Sequence, residues 1–558
     1  MIKKQKNLYE HTPLLYDKES IPPSSSSPSS SSSTTACSIT SPSIPCTVTL
    51  LLSSLIPSLG GFLCGYDQTV MEKILAIPNF HHHYFYGKHL VGGFNPFDYI
   101  IFGYFGMAIF GSLYGGYICD QAGRKRSLIG GFLLFAMGTF LDIGCSHSLA
   151  FLLGRLFVGI GSGILMVAGP CMITELAPAN LRGCLVGFFA LLTLAGQLSG
   201  YYMMAAVGPR HSASTASTSS STYGWRTPIM METCIAFFAI LIQWQLPDSP
   251  RWLTWISQQY QDIGKIDTLN EGLLAISCLQ EKPLNDPLVQ QLWKQIIDDC
   301  NSITIHDSET PSYISCLCLV VGATQHHDDL THQPEHFYYQ QQRKRRLLLA
   351  CGLMLASCMT GCEILVKHYA SAIFYASGLH DTSLLAANGC TGSLAMAVMA
   401  ISLGWCVDHF GRKGFLLVGA LAMALCHLGL GSAFQWFSIV DLQTGSIVLM
   451  NTHARTVAIA CIYIFIVIYA FTWGSLILGT TCEWFSVQDR AKGFALVVCL
   501  AWSSQWFLAT SFCWHFFTSP SLIFYIHGLS MLLSCYFVYC WVPNTTAKAL
   551  EVTIGMVF

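Results

Sequence analysis

The chain has 558 residues, of which 53% are hydrophobic and only 10% are charged, and its formal net charge is −2. A soluble domain carries about 25% charged residues, so this composition excludes an ordinary soluble protein and is typical of a protein that lies in lipid. The net charge says nothing about nucleic acid, but we see no basic tail in the sequence. The 24 cysteines fall mostly within apolar runs, where small packing residues are expected.

Residues 1–46 form a polar tail that we expect to be disordered and cytoplasmic. The serine-rich segment 24–33 is too polar to build a core, and three lysines among the first six residues favour the cytoplasmic side. The tail also carries Glu10 followed by Leu14 and Leu15, which looks like an acidic dileucine sorting signal. The plasma membrane is the expected location, and a vacuolar or endosomal membrane is the alternative that this motif leaves open.

Twelve apolar runs of about 20 residues follow, each long enough to cross the ~30 Å hydrocarbon core of a bilayer. We expect them at 48–70, 98–119, 127–147, 149–172, 183–207, 227–246, 347–375, 383–407, 414–435, 456–482, 492–515 and 520–542. A hydrophilic stretch at 254–345 divides them six and six, and amphipathic patterns predict short helices at 266–279 and 287–299 within it.

The predicted organisation therefore has five parts. They are a tail at 1–46, a six-helix bundle at 47–253, a cytoplasmic linker with short helices at 254–345, a second six-helix bundle at 346–543 and a short cytoplasmic tail at 544–558.

Spaced motifs occur in the same order in the two halves of the chain. One is an Asp-x-x-Gly-Arg-Lys turn, and another is a Glu and an Arg separated by six residues. Their members are Asp120, Gly123 and Arg124, repeated as Asp408, Gly411 and Arg412, and Glu175 and Arg182, repeated as Glu483 and Arg490. Parallel six-span repeats describe one class of transporter, so the predicted fold is an all-α membrane protein with twelve transmembrane helices in two six-helix repeats.

These motifs resemble those of the sugar porter family, whose members include sugar and inositol transporters, within the major facilitator superfamily. The resemblance covers nearly all of residues 48–552 and implies the major facilitator fold. In that family the repeated turn and Glu/Arg groups form an inner charge network that holds the two halves together while the binding site faces outward. The alternative for any single group is a solvated surface ion pair, which contributes little.

Asp67 and Arg155 are charged residues inside apolar spans, and such residues are functional candidates by default because burial of a charge is costly. Both match family motifs of the first and fourth spans. The resemblance implies that the carboxylate takes up a proton and that the arginine tunes it. A purely structural ion pair is the alternative, and a facilitator that keeps the aspartate also remains open.

The resemblance is weaker in the sugar pocket that the family builds from spans five, seven, ten and eleven. Ala190 stands where the family has a glutamine, and Glu363 stands near the position of its seventh-span asparagine. The pocket candidates in this chain are Glu363, Trp473, Trp502 and Gln505. A sugar needs many directed hydrogen bonds, so the missing donors leave the identity of the substrate open.

The expected function is transport of a sugar or polyol by alternating access, with proton symport as the mechanism. A facilitator for a sugar or another small solute, and a transporter-like sensor without transport, are the alternatives. The sequence has no nucleophile–base spacing, phosphate loop, metal signature or cofactor motif, so we expect a protein that is not an enzyme. The expected partners are the solute, protons and the lipid bilayer, without nucleic acid, and the expected functional unit is a monomer.

Overall fold

The computed structural model shows an α-helical membrane protein with one short β-hairpin. The structure describes residues 47–75, 77, 80, 96–144, 147–178, 181–207, 224–259, 267–304, 313, 334–362, 370–379, 381–403, 412–440, 447–516 and 520–543. Ten helices in these ranges are long and apolar enough to cross a membrane. This finding confirms the prediction of an all-α multi-pass membrane protein. The two terminal tails, Glu363, Asp408 and Gly411 lie outside the described residues.

The first repeat contains six long helices whose ends lie within a few residues of the predicted spans. They are α1 (Val48–Leu75), α2 (Pro96–Ala122), α3 (Arg124–Gly144), α4 (Ser148–Leu176), α5 (Arg182–Val207) and α6 (Arg226–Gln243). The two predicted linker helices are confirmed, and a third precedes them. The linker helices are α7 (Pro250–Gln259), α8 (Asp267–Gln280) and α9 (Pro287–Thr304).

The second repeat contains more elements than spans because two of its spans are interrupted. Its elements are α10 (Pro334–Cys358), α11 (Ala370–Ala376), α12 (Asp381–Ile401), α13 (Arg412–Phe437), β1 (Ser438–Val440), β2 (Ile447–Leu449), α14 (Thr452–Phe471), α15 (Trp473–Glu483), α16 (Val487–Phe516) and α17 (Pro520–Trp541). Several helices of the chain start at a proline, whose fixed φ suits the first helical turn and which has no N–H group to leave unpaired.

The seventh span differs from its prediction as one continuous helix over 347–375. Helix α10 starts earlier, at Pro334, and ends at Cys358. A turn follows in which Thr360 N donates to Ser357 O at 3.2 Å, and Gly361 has a φ of +70°. The tenth span is also divided, since Thr472 separates α14 from α15 with a φ of −115° and a ψ of −82°.

The two repeats pack around a central space. In the first repeat, α1 packs against α5 and α4 packs against α2 and α3, while in the second repeat α13 packs against α17. Contacts of α2 with α16, and of α5 with α12 and α15, join the two repeats. As their spacing predicts, Gly111 and Gly115 let another helix approach closely, because a Cβ at either position would lie within 3 Å of the α4 backbone.

The turn between α2 and α3 requires its glycine. Gly123 has a φ of +94°, and a Cβ there would lie 2.5 Å from Oδ2 of Asp248. Oδ1 of Asp248 accepts hydrogen bonds from Lys125 N at 3.1 Å and from Ser249 N at 2.8 Å. Burial raises the pKa of Asp248 above its ordinary value because it disfavours the charged carboxylate, although these two N–H groups oppose the shift.

Candidate functional site

A cavity of about 690 Å³ lies between the two repeats. Helices α1, α2, α4 and α5 line it from the first repeat, and α10, α12, α14, α15 and α16 line it from the second. Most of the lining side chains are aliphatic or aromatic, with a small number of polar groups among them. A mainly apolar cavity with a few directed polar groups is the usual form of a small-molecule site.

Three of the four pocket candidates from the sequence line this cavity. They are Trp473, Trp502 and Gln505, whereas Glu363 lies outside the described residues. The indole N–H of Trp473 is already occupied, since it donates to Leu416 O at 2.9 Å. The indole N–H of Trp502 is buried and has no hydrogen-bond partner among the described residues. Trp502 therefore has a buried donor without a protein partner among the described residues, on a side chain that lines the cavity.

Polar groups that the sequence reasoning missed also line the cavity. Gln68 follows Asp67 on α1, and Thr193 and Gln197 lie on α5 with Ala190. Gln197 is seven residues, about two helical turns, after Ala190, so both face the same side of α5. That spacing was visible in the sequence and could have shown that α5 retains a glutamine on its pocket face.

The buried ion pair between Asp67 and Arg155 forms part of the same cavity wall. Arg155 Nη1 donates to Asp67 Oδ1 at 2.8 Å, and Nη2 donates to Asp67 Oδ2 at 2.7 Å. Both side chains are at most 2% exposed. The Arg155 guanidinium also lies 5.3 Å from the ring centroid of Tyr104, which in turn packs 5.9 Å from the ring of Trp502. A chain of contacts thus joins the ion pair to the second repeat.

Two further carboxyl groups lie near this pair, and sequence reasoning missed both. Asp142 on α3 accepts a hydrogen bond from Arg155 Nη1 at 3.2 Å, and Glu232 on α6 is buried and interacts electrostatically with Asp67 and Arg155. Each lies inside a predicted apolar span. The rule that selected Asp67 and Arg155, a charge within a span, would have selected them as well.

A second charge cluster lies at the opposite end of α4. Glu175 Oε1 accepts hydrogen bonds from Arg124 Nη2 at 2.9 Å and from Arg490 Nη1 at 3.1 Å, and its Oε2 accepts one from Ser249. Arg124 and Glu175 belong to the first repeat and Arg490 to the second. The interaction between Glu175 and Arg490 therefore joins the two repeats directly.

A neighbouring pair also crosses between the repeats, from Lys492 Nζ to Asp120 Oδ2 at 3.4 Å. Asp120 Oδ1 lies 3.9 Å from Arg124 Nη1, at the edge of ion-pair distance. Sequence reasoning included Asp120 in the network but not Lys492, which lies two residues after Arg490.

The remaining candidates of the inner network make contacts within their own repeat. Arg412 pairs with Glu483, with Nη2 at 3.1 Å from Oε1, which matches the pair between Arg124 and Glu175 in the first repeat. Arg182 Nη2 donates to Ala177 O at 3.5 Å. The two repeats thus place equivalent arginines beside equivalent carboxylates.

Comparisons with known proteins agree with this architecture. The family model described as "Sugar (and other) transporter" matches residues 53–304 and 321–554. The chain is 25% identical over 526 residues to myo-inositol transporter 1 of Candida albicans, covering 90% of this chain and 82% of that protein. It is 26% identical over 536 residues to the D-xylose-proton symporter of Escherichia coli K12, covering 89% of this chain and 94% of that protein.

Solved structures show the same fold. The proton:xylose symporter XylE of the major facilitator superfamily, bound to 6-bromo-6-deoxy-D-glucose, superposes with a TM-score of 0.70 at 20% identity, covering 91% of this chain and 98% of that one. An inward-open structure of XylE from E. coli superposes with a TM-score of 0.58 at 21% identity, covering 91% of this chain and 99% of that one. The chain has the major facilitator fold and belongs to the sugar (and other) transporter family.

Proposed function

We propose that this protein is a proton-coupled transporter of a sugar or polyol that works by alternating access. The observation that carries the proposal is the central cavity, whose wall contains both the buried Asp67–Arg155 ion pair and aromatic and amide side chains of the second repeat. A proton-binding carboxyl and a solute site that share one cavity can influence each other directly. The functions of the two relatives, myo-inositol transport and D-xylose–proton symport, support the same proposal.

Asp67 is the proposed proton-binding group. In this structure its two carboxylate oxygens each accept a hydrogen bond from Arg155, which is the two-bond geometry of a strong guanidinium–carboxylate pair. Protonation would neutralise the carboxyl and weaken both bonds, which would free Arg155 to move. In this proposal, proton binding to Asp67 is the step that releases the arginine.

The charge cluster at the other end of α4 is the proposed inner gate, defined as Asp120, Arg124, Glu175, Arg490 and Lys492. Its two contacts between the repeats, Arg490 with Glu175 and Lys492 with Asp120, hold this end of the cavity closed. Opening toward the cytoplasm would break both contacts. Because the groups would then be hydrated, the two conformations can lie close in free energy, as alternating access requires.

The solute is proposed to bind through a small number of polar groups. Gln68, Gln197 and Gln505 offer amide donors and acceptors, and Trp502 offers its indole N–H. Tyr104 and Trp502 supply aromatic surface that suits the apolar face of a sugar ring or a cyclic polyol. With fewer polar groups than sugar binding usually needs, the affinity is expected to be modest for highly hydroxylated solutes.

Uptake into proteoliposomes tests this function. The full chain is reconstituted and given labelled D-xylose, D-glucose or myo-inositol, with and without an inward proton gradient, and a protonophore serves as the control. We expect accumulation of at least one solute that depends on the gradient. Asp67→Asn should abolish accumulation while exchange of solute across the membrane continues, because the neutral side chain imitates the protonated form. Accumulation that is equal with and without the gradient would rule out symport and leave facilitated transport.

A further inference from the structure

Arg155 is shared between two carboxylates that lie on different helices. It forms the two-bond pair with Asp67 of α1, and Nη1 donates a third bond to Asp142 of α3 at 3.2 Å. The side chain of Asp142 is fully buried. A carboxylate in such a position is very unfavourable unless it is paired, so Arg155 explains how Asp142 is tolerated inside the span.

The packing of α3 against α4 creates the space for Asp142. Gly154 precedes Arg155 on α4, and a Cβ on Gly154 would come within 2.2 Å of Asp142 Oδ1. Gly138 on α3 faces the same backbone, so the two helices approach closely at this level. The carboxylate therefore occupies room that only a glycine at position 154 leaves available.

Arg155 faces an excess of acidic groups. Asp67 and Asp142 accept hydrogen bonds from its guanidinium and Glu232 acts on it electrostatically, so three ionised carboxylates would leave a net charge of −2 in a buried site. The other titratable groups that act on Asp67 or on its neighbours are Tyr104 of α2 and Cys64 and Tyr66 of α1. None of these three adds a positive charge. The site is therefore organised to accept protons rather than to remain fully ionised.

We propose that Asp142 is a positioning residue, a second counter-ion that keeps Arg155 paired when Asp67 takes up a proton. The inference rests on the proposed role of Asp67 as the proton-binding group. An incoming proton forms an O–H bond on one oxygen of the Asp67 carboxylate and leaves that group neutral. Arg155 then keeps a charged partner in Asp142, so the proton does not leave an uncompensated cation in the membrane interior.

This arrangement determines which charged partner Arg155 keeps when Asp67 is neutral. Without the carboxylate of Asp142, protonation of Asp67 would remove the only anion that receives hydrogen bonds from Arg155 among the described residues. Glu232 acts on Arg155 through longer-range electrostatics alone. A nearby like charge disfavours the ionised form of a carboxyl and so raises its proton affinity. Asp142→Asn should therefore move the protonation of Asp67 to more acidic pH by about one to two units.

Infrared titration of the purified full chain in lipid measures this shift without any solute. The C=O band of protonated carboxyl groups is followed against pH, and Asp67→Asn identifies the part of the band that belongs to Asp67. We expect Asp142→Asn to shift the midpoint of that part to acid pH, and Asp142→Glu, which keeps the charge, to restore the midpoint toward that of the parent. Gly154→Ala keeps every titratable group but displaces the Asp142 carboxylate, so it should give a smaller shift in the same direction.

Thr139→Val is the matched control, since Thr139 lies on the same helix and binds Thr233 at 2.9 Å without contributing charge. Its midpoint should equal that of the parent. An unchanged midpoint in Asp142→Asn, or a shift to alkaline pH, would overturn the proposal.

The same titration separates this inference from the proposed function. If uptake by the parent proves independent of protons, symport is rejected, yet the Asp142→Asn midpoint still decides the role of Asp142. If uptake depends on protons but the Asp142→Asn midpoint matches the parent, the proposed function stands and the inference about Asp142 fails.

Discussion

Replacing Arg490 by glutamine should open the inner gate without unfolding the protein. Arg490 donates one hydrogen bond across the repeats, from Nη1 to Glu175 Oε1 at 3.1 Å. When it is removed, Glu175 keeps both of its bonds from Arg124 and the one from Ser249. The carboxylate therefore stays neutralised within the first repeat. The substitution should destabilise the closed conformation relative to the open one, without unfolding the protein.

The size of the effect follows from the bond that is lost. A hydrogen bond to a charged group contributes about 1.5–3 kcal/mol, and in the open conformation Arg490 would be hydrated and would not make this bond. The ratio of closed to open molecules should therefore fall by about 10- to 150-fold. If closed molecules outnumber open molecules in the parent by less than this factor, open molecules should predominate in Arg490→Gln.

Two native cysteines report the change. Cys171 on α4 and Cys482 on α15 lie 4.0 Å apart, sulfur to sulfur, across the interface between the repeats, and both are fully buried. Opening of the inner end would expose them to a membrane-permeable maleimide, and peptide mass spectrometry would give the rate of modification at each site. Cys64, buried in α1 near the Asp67–Arg155 pair, should show no increase and serves as the internal control.

Arg251→Gln is the matched variant. Arg251 pairs with Asp299 at 3.0 Å, and both residues lie on linker helices, so its loss should not change the gate. We expect faster modification of Cys171 and Cys482 in Arg490→Gln only. Equal rates in the parent, Arg490→Gln and Arg251→Gln would refute the assignment of Arg490 to the gate, and faster modification at Cys64 as well would indicate general unfolding instead.

Three further predictions concern the cavity and the turn after α2. Trp502→Phe removes the available indole N–H but keeps an aromatic ring beside Tyr104, so the apparent solute affinity in uptake assays should fall about 5- to 10-fold with little change in Tm. Gly123→Ala places a side chain at a φ of +94° and against Asp248, and should cost about 1–3 kcal/mol of stability, seen as a lower Tm in detergent. The pKa of Asp248 is higher in the folded protein than its ordinary value of 3.8, so its ionisation lowers stability as the pH rises from 3.8 to the folded value. Asp248→Asn keeps the Oδ1 acceptor and should remove that part of the pH dependence of Tm.

The positions of the spans were predictable because they depend on apolarity alone. The helices α1 to α6 begin and end within a few residues of the predicted runs, since each must cover the same thickness of hydrocarbon. The interruptions at Gly361 and Thr472 were not predictable in this way. Apolar composition shows which residues face lipid or pack in the core, but it does not show where the backbone hydrogen bonds of a helix stop.

The candidate site was predictable where residues match motifs and unpredictable where contacts depend on packing. Asp67 and Arg155 were named together from the sequence, and the structure places them in a two-bond pair. The sequence could not show that Arg412 pairs within its own repeat while Arg490 reaches across to the other. Equivalent motifs in two repeats have the same spacing, so only the three-dimensional arrangement decides which arginine faces the partner.

Helix α4 contributes a residue to each of the two charge clusters. It carries Arg155 near one end and Glu175 near the other, and 20 residues at 1.5 Å each separate them by about 30 Å. The first side chain interacts with the proposed proton site, and the second interacts with Arg490 of the opposite repeat. Most of α4 is buried between neighbouring helices, and Pro170, which lies inside the helix between the two clusters, removes one backbone hydrogen bond there.

The position of α4 offers a physical route by which proton binding at Asp67 could affect the contact between Glu175 and Arg490. A proton can bias the gate only if it binds one conformation more tightly than the other, and the difference must come from contacts that change between them. Protonation of Asp67 removes the two bonds that fix α4 to α1, while Asp142 retains Arg155 on the α3 side. Helix α4 would then be held to α3 alone at that end, and any resulting tilt changes the distance from Glu175 to Arg490 at the other end. If both proposals hold, the number of carboxylates around Arg155 would determine both the pH at which the proton binds and the size of its effect on the inner gate.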